Sequence, residues 1–432
     1  MVQQKQQRHG GLLGINNDVK APETHDQHAS TVQIANSMPE LDKLLQEAEN
    51  SCAVIFFTSQ NCGPCRMLYP LYDRLAREAT HKAVLIKVDV SQRYDIGTKY
   101  SITATPTFIT YLHGAEENRW TGSAHSTLEG NVRMLIQMAW PPHQHESLPL
   151  PALHGASTKP VLYSKVPPLR KLKVKMGPTA EDGAMSSVLH FIAARAEEGP
   201  AEARLPDLDA FSRFLRSAPS KLPMEIMFTV VDVLRVALAD PRFSGYYAEE
   251  KEHKTIAPLL SYVNSLKDCP YSLRLVALQM GCNLFSSPLY PHHILKCRTL
   301  TEPIVQLITT SLLDDKHHNV RVAAASLIFN LAAANSKLRT EEHIETLPEE
   351  HQIELAASLL EAIGAEVESP EALKGYLLAF GHLAYCVPKG GEMVDLLKSM
   401  DAEGTVLGKR KLFPAEKLIE DVGETLLRRG LD

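Results

Sequence analysis

Residues 58–68, TSQNCGPCRML, place Cys62 and Cys65 two residues apart, with Gly63 and Pro64 between them. Such a pair can be a dithiol that exchanges electrons, half of a zinc site, or an incidental disulfide. The flanking residues narrow the choice. Residues 53–57, AVIFF, are wholly apolar, as a strand buried on both faces requires. Residues 64–79, PCRMLYPLYDRLAREA, read as a helix that Pro70 should kink. The two cysteines therefore sit where a buried strand hands over to a helix.

Zinc fits poorly. A zinc ribbon needs four ligands, usually as two close pairs. Here Cys52, Cys269, Cys282, Cys297 and Cys386 stand singly, and no histidine pair follows at finger spacing. The redox reading has a physical basis. A helix N-terminus offers unpaired N–H groups and positive potential, and both favour a Cys62 thiolate. Pro64 suits a first helical turn, where its missing N–H costs nothing. Cys65, one turn on, is placed to resolve a mixed disulfide.

The surrounding elements extend the pattern. TVQIAN (31–36) reads as a strand and PELDKLLQEAE (39–49) as a helix. AVLIKVDV (83–90) is a further strand, TFITYL (107–112) and NRWT (118–121) form a hairpin about HGAE, and 127–140 closes with a helix. In ATPTF, Pro106 precedes a strand, and a cis Thr105–Pro106 peptide would set the Thr105 backbone beside the dithiol as a docking edge. In element order, CGPC motif, Thr105–Pro106 loop and the Gly114 and Gly122 turns, residues 30–140 resemble the thioredoxin family. The resemblance implies an α/β thioredoxin fold, catalytic Cys62 and Cys65, and Thr105 and Pro106 at the client edge. It also marks departures. The family's buried Asp, six residues before the first cysteine, is Phe56 here, and its two nearby Trp positions are Thr58 and Asn61. That Asp is held to relay a proton for the resolving thiol, so its loss should slow resolution by Cys65 more than attack by Cys62.

Residues 1–30 are polar and aperiodic and read as disordered. Between Glu146 and Glu181 lie six prolines and six basic residues without an acid, so 141–182 reads as a solvated Pro-rich, basic linker. From 183 to 432 strand signals vanish and helix-length segments follow one another, giving an all-α bundle or solenoid. FTVVDVLRVALADPR (228–242), CPYSLRLVALQMGCNLF (269–285), SLLDDKHHNVRVAAASLIFNLAA (311–333) and ELAASLLEAI (354–363) resemble the PUL domain of ubiquitin-pathway proteins. That resemblance implies an armadillo-like helical repeat that binds the acidic C-terminal tail of the AAA ATPase valosin-containing protein. Fungal relatives join thioredoxin to PUL, sometimes after a PPPDE peptidase domain. No such domain fits in residues 1–30, and its activity is not carried over.

Basic residues that interrupt the apolar helices are candidates for a tail-binding groove: Arg235, Arg274, Lys296, Arg298, His317, His318 and Arg321. Asn283 and Asn330 read instead as partners of internal loops. The bulk numbers exclude other classes. Net charge is −6 with no Lys/Arg-rich run of nucleic-acid type, and no apolar run approaches membrane-spanning length. No metal or cofactor is expected, and the chain reads as cytosolic or nuclear. Three functions remain open: an adaptor for the ATPase, a protein-disulfide reductase fed by thioredoxin reductase with PUL as an address, and a scaffold with an idle dithiol.

Overall fold

The structure is a computed structural model that describes residues 31–431. The disorder expected at 1–30 lies outside the described residues. Two compact units are present, one ending at His143 and one beginning at Gln144.

The first unit is a sheet with helices on both faces. Its elements are β1 (Gln33–Ile34), α1 (Met38–Glu47), β2 (Cys52–Thr58), α2 (Gly63–Ala79), β3 (Val84–Asp89), α3 (Tyr94–Lys99), β4 (Thr107–Leu112), β5 (Ala115–Thr121) and α4 (His125–Ala139). The strand order is β1-β3-β2-β4-β5. β1, β3 and β2 run parallel, and β4 and β5 are antiparallel. β2 is central and buried along its whole length, which explains its unbroken apolar sequence. Its side chains alternate between two cores. Val54 and Phe56 join residues of α2 and α4, while Ile55 and Phe57 join Leu41 of α1 and Ile96 of α3. The expected strand at 31–36 shrinks to Gln33–Ile34. α2 continues through Pro70, and the Tyr72 hydroxyl beyond it donates to the Val54 and Ile86 carbonyls at 2.7 and 3.0 Å. His113 and Gly114 form the two-residue hairpin loop at φ +48° and +78°, the left-handed pair that such a turn demands.

The second unit contains no strand among the described residues. Its helices are α5 (Pro151–His154), α6 (Leu169–Met176), α7 (Gly183–Glu197), α8 (Leu208–Lys221), α9 (Met224–Leu238), α10 (Pro241–Ala248), α11 (Ile256–Ser265), α12 (Tyr271–Leu284), α13 (Tyr290–Lys296), α14 (Arg298–Leu312), α15 (His318–Lys337), α16 (Glu349–Ala365), α17 (Pro370–Ala384), α18 (Glu392–Ser399) and α19 (Ala402–Leu407), with a wide π-type helix at Glu420–Arg429. α9, α12, α15 and α17 pack side by side in that order, as stacked helical repeats do. α15 has almost no polar face and is buried nearly all round. Small residues let these helices approach: a Cβ on Gly375 of α17 would lie 2.9 Å from that of Ala325 on α15.

The expected linker is corrected here. From Gln144 on, the stretch belongs to the helical unit. His145 is buried; one ring nitrogen bonds the Gly430 carbonyl and the other accepts the Cys386 N–H, both at 2.9 Å. The Asp421 carboxylate accepts the N–H groups of Ala152 and Leu153 at 2.7 and 3.0 Å. Further on, residues 161–165 cross α15, α12 and α9. Asn330 pairs with both the N–H and the C=O of Val161, and Asn283 does the same with Tyr163. The composition is that of a tether, but composition does not register a segment held by its backbone.

Candidate functional site

The dithiol is built by local chain geometry. Cys62 is the N-cap of α2, and its Sγ accepts the Cys65 N–H at 3.2 Å. Such an N–H donates equally well to a thiolate at that sulfur. The two cysteines form a disulfide; Cys62 is 8% exposed and Cys65 fully buried. Of the two, Cys62 alone keeps any exposure to solvent. The Thr105–Pro106 peptide is cis. Its loop is tied to the dithiol loop by Ser59 Oγ and Thr105 Oγ1 at 3.3 Å, and Arg66 donates to the Gln60 carbonyl at 2.9 Å.

Phe56 fills the place where a carboxylate was sought. It is fully buried, stacked on Phe108 at 4.6 Å and edge-on to Tyr72 at 5.2 Å. Polar groups on this face of the sheet are different. Thr58 and Tyr69 share a hydroxyl–hydroxyl bond of 2.8 Å, and Lys87, beside Phe56 in the β2–β3 register, holds its ammonium 4.8 Å from the Tyr69 ring. Elsewhere burial makes thiols poor nucleophiles. It pushes Cys52 up to about 12 and Cys386 up to about 11, and raises Cys282 as well.

The groove candidates divide. Arg274 lies in the first turn of α12, and His317, His318 and Arg321 lie at the start of α15. Tyr271 stacks on His317 at 4.3 Å, and its hydroxyl accepts from Asn319. Arg274 donates to the Thr310 carbonyl at 3.1 Å, and His317 meets Asp314 at 3.2 Å. Arg321 pairs with Glu366 at 3.2 Å and donates to the Asp314 carbonyl at 2.9 Å. Lys296 and Arg298 do not join this group; Lys296 ends α13, and Arg298 pairs with Glu302 and Glu350.

Arg235 is a correction. It is 5% exposed, paired with Asp232 at 2.7 Å, and donates to the carbonyls of Tyr163 and Lys165. Its guanidinium is committed to the chain's own backbone, so it offers no surface to a tail. A repeat signal was present in the sequence: Arg274 and Arg321 are 47 residues apart, and so are Asn283 and Asn330. That is an armadillo-length period, and it groups each Arg with its own Asn. Among the described residues no helix is long and apolar enough to cross a membrane.

The PUL domain family model matches residues 156–425, and the thioredoxin model matches 32–133. The PUL match begins inside the stretch expected as a linker, in keeping with the bonds made by residues 161–165. Thioredoxin 1 of Plasmodium falciparum is 33% identical over 98 residues, covering 23% of this chain and 91% of that protein. Thioredoxin-3 of Dictyostelium discoideum is 34% identical over 107 residues, covering 24% and 99%. A peptide-N(4)-(N-acetyl-beta-glucosaminyl)asparagine amidase of Caenorhabditis briggsae is 31% identical over 103 residues, and the match spans 17% of that protein. Among solved structures, Fasciola hepatica thioredoxin shares 33% identity, covering 24% of this chain and 99% of that one, with a TM-score of 0.23.

Proposed function

Because this chain belongs to the PUL-domain family and carries a thioredoxin domain ahead of its PUL domain, we propose that it is an adaptor of the ubiquitin–proteasome pathway. The helical unit holds the acidic C-terminal tail of the valosin-containing-protein ATPase, and the thioredoxin domain brings a dithiol to what that ATPase handles. One observation carries the binding half: Arg274, His317 and His318 stand where two long helices begin, whereas Arg321 beside them is held by Glu366 and the Asp314 carbonyl. The Arg274 guanidinium and the helix N-termini favour the same ligand, an extended anion. Tyr271, 38% exposed beside them, offers an aromatic face. The test is calorimetry of the full chain with the ATPase tail peptide. Affinity of about micromolar order, weakening with salt, supports the reading. Absence of binding at low salt would overturn it.

A second activity follows from Cys62 at the helix N-cap. The Cys62 thiolate attacks a client disulfide and expels one client thiolate; Cys65 then attacks Cys62 Sγ, releases the second client thiol and leaves the Cys62–Cys65 disulfide. Two electrons pass to the client, and a thioredoxin reductase restores the dithiol. Insulin reduction coupled to that reductase separates this activity from an idle dithiol. The cytosol and nucleus, where both partners would be met, are the proposed locations, to be checked by imaging a tagged chain.

A further inference from the structure

Lys87 is a cation on the dithiol's side of the sheet, and Phe56 leaves it without a matching anion. On β3, Leu85 belongs to the core that holds Cys62 and Cys65, whereas Ile86 and Val88 belong to the opposite one. Alternation therefore turns Lys87 to the dithiol's face. Its register partner on β2 is Phe56, fully buried and uncharged. The Lys87 ammonium lies 4.8 Å from the centre of the Tyr69 ring. Tyr69 is four residues beyond Cys65 on α2, so the two share one face of that helix in adjacent turns. Helical side chains lean back towards the N-terminus, which carries the ring over the turn that holds Cys65.

Among the described residues no carboxylate pairs with Lys87. Asp89, two residues on and on the same face, is occupied: its carboxylate accepts the Ser91 N–H at 2.9 Å, the Ser91 hydroxyl at 2.5 Å and the Gln92 amide at 3.3 Å. Asp73, one turn past Tyr69, is exposed. Reduction of a disulfide creates thiolate charge and oxidation removes it. An unpaired cation in partly apolar surroundings therefore stabilises the reduced state, and a dithiol so stabilised is the stronger oxidant in its disulfide form. The Cys65 N–H at Cys62 Sγ acts in the same direction.

We infer that Lys87 poises this unit as a disulfide donor: Cys62–Cys65 passes its disulfide to pairs of client thiols more readily than it would with the cation paired. The inference rests on the redox reading of the dithiol. A client thiolate attacks Cys62 Sγ and expels the Cys65 thiolate. The client's second thiolate then attacks the client sulfur of the mixed disulfide and expels the Cys62 thiolate. The client gains a disulfide and gives up two electrons. The two protons that its thiols lose pass to Cys62 and Cys65 or to water. A small-molecule disulfide, of which glutathione disulfide is the type, restores the Cys62–Cys65 bond. Clients of this site are then reduced thiol pairs as well as disulfides.

The test equilibrates the full chain in buffers of 2-mercaptoethanol and its disulfide, a couple that carries no charge. Alkylation and peptide mass spectrometry read the Cys62–Cys65 disulfide apart from the five other cysteines. Lys87→Met keeps an apolar stem and removes the charge, and Lys87→Arg keeps the charge. Lys87→Met should favour the disulfide by about threefold or more over the wild type, and Lys87→Arg should stay within about twofold of it. Added salt should narrow the gap between the wild type and Lys87→Met. An unchanged equilibrium in a folded Lys87→Met chain overturns the inference. So do Lys87→Met and Lys87→Arg shifting together, because the effect is then one of packing. Failure of both variants to fold makes Lys87 a structural residue and overturns it as well. A wild-type pair that does not exchange with this couple at all is idle and refutes the redox reading itself, whereas a pair that exchanges but ignores Lys87 refutes this inference alone.

Discussion

Asn283→Ala measures what the backbone pairing contributes. The Asn283 side chain is fully buried and makes three bonds: to the Tyr163 N–H at 2.7 Å, the Tyr163 carbonyl at 3.0 Å and the Arg235 carbonyl at 2.7 Å. Alanine removes all three. The Tyr163 carbonyl keeps its bond from the Arg235 guanidinium, so that loss is cushioned. The Tyr163 N–H and the Arg235 carbonyl lose the Asn283 amide. Leaving two buried polar groups unpaired at about 1–3 kcal/mol each gives a loss of roughly 2–6 kcal/mol. For a unit of this size the melting temperature should fall by roughly 5–20 °C. Calorimetry with helical circular dichroism reads it, because the helical unit dominates the signal. Ser164→Ala, on the exposed side of the same segment, should move stability by less than about 0.5 kcal/mol. If Asn283→Ala loses under about 1 kcal/mol, residues 161–165 are solvated and the pairing argument fails.

Other outcomes follow from the sites. Cys62→Ser should abolish insulin reduction, and Cys65→Ser should accumulate mixed disulfides visible on non-reducing gels. Phe56→Asp should lower the stability of the first unit by about 3–5 kcal/mol through lost ring packing, with Lys87 beside it in register as a partner for the new carboxylate. It should also raise turnover per folded molecule, and a folded variant with unchanged turnover refutes the role given to the missing acid. Arg274→Ala should weaken tail binding by about tenfold or more at unchanged melting temperature, whereas Lys171→Ala should leave it unaltered. Arg274→Ala that binds as well as wild type shifts the tail elsewhere.

Acid should destabilise the helical unit through His382. Burial, then the neighbouring His154, lowers it from 6.5 to about 4, and its buried Nε2 has no hydrogen-bond partner. The unfolded chain binds that proton more readily, so the stability present above pH 6.5 is lost progressively as pH falls towards 4, by at most about 3 kcal/mol. His382→Phe should flatten the pH 5–6.5 part of a melting-temperature profile, and an unchanged slope would assign it to other groups.

The thioredoxin unit was legible because its signals are local. The apolar run of β2, CGPC at a helix start and Thr105–Pro106 each state their role within a few residues. β1 is shorter than expected because the ladder with β3 takes in Gln33 and Ile34, with Ala35 adding one bond to the Lys87 carbonyl. The helices of the second unit were legible from apolar periodicity. Their polar members were not, because a buried Arg and a groove-lining Arg look alike in sequence. Arg235 and Arg274 both interrupt apolar helices, and what separates them is the backbone of residues 163–165, far away along the chain. Residues 144–182 were hidden for the same reason: prolines and lysines announce a tether, and nothing in side-chain chemistry announces a backbone that Asn residues will grip. Asn283 and Asn330 were read as partners of internal loops, and the structure supplies the segment they hold.

The fastening of Ala152 and Leu153 to Asp421, and of His145 to Gly430, also bears on how the second unit comes to be folded. Stacked helical repeats ordinarily fold by nearest-neighbour propagation, and a newly synthesised array can settle repeat by repeat. Here the beginning of the array is held by its end, across 269 residues at one fastening and 285 at the other. Closing so long a loop costs entropy that short-range contacts do not. The early residues therefore cannot reach their final partners until the last helix has been made. Such long-range closure raises contact order, which slows folding. A ribosome-bound intermediate that lacks residues 421–430 is expected to keep its first turns exposed to proteases and chaperones, and to lose that sensitivity in a single late step.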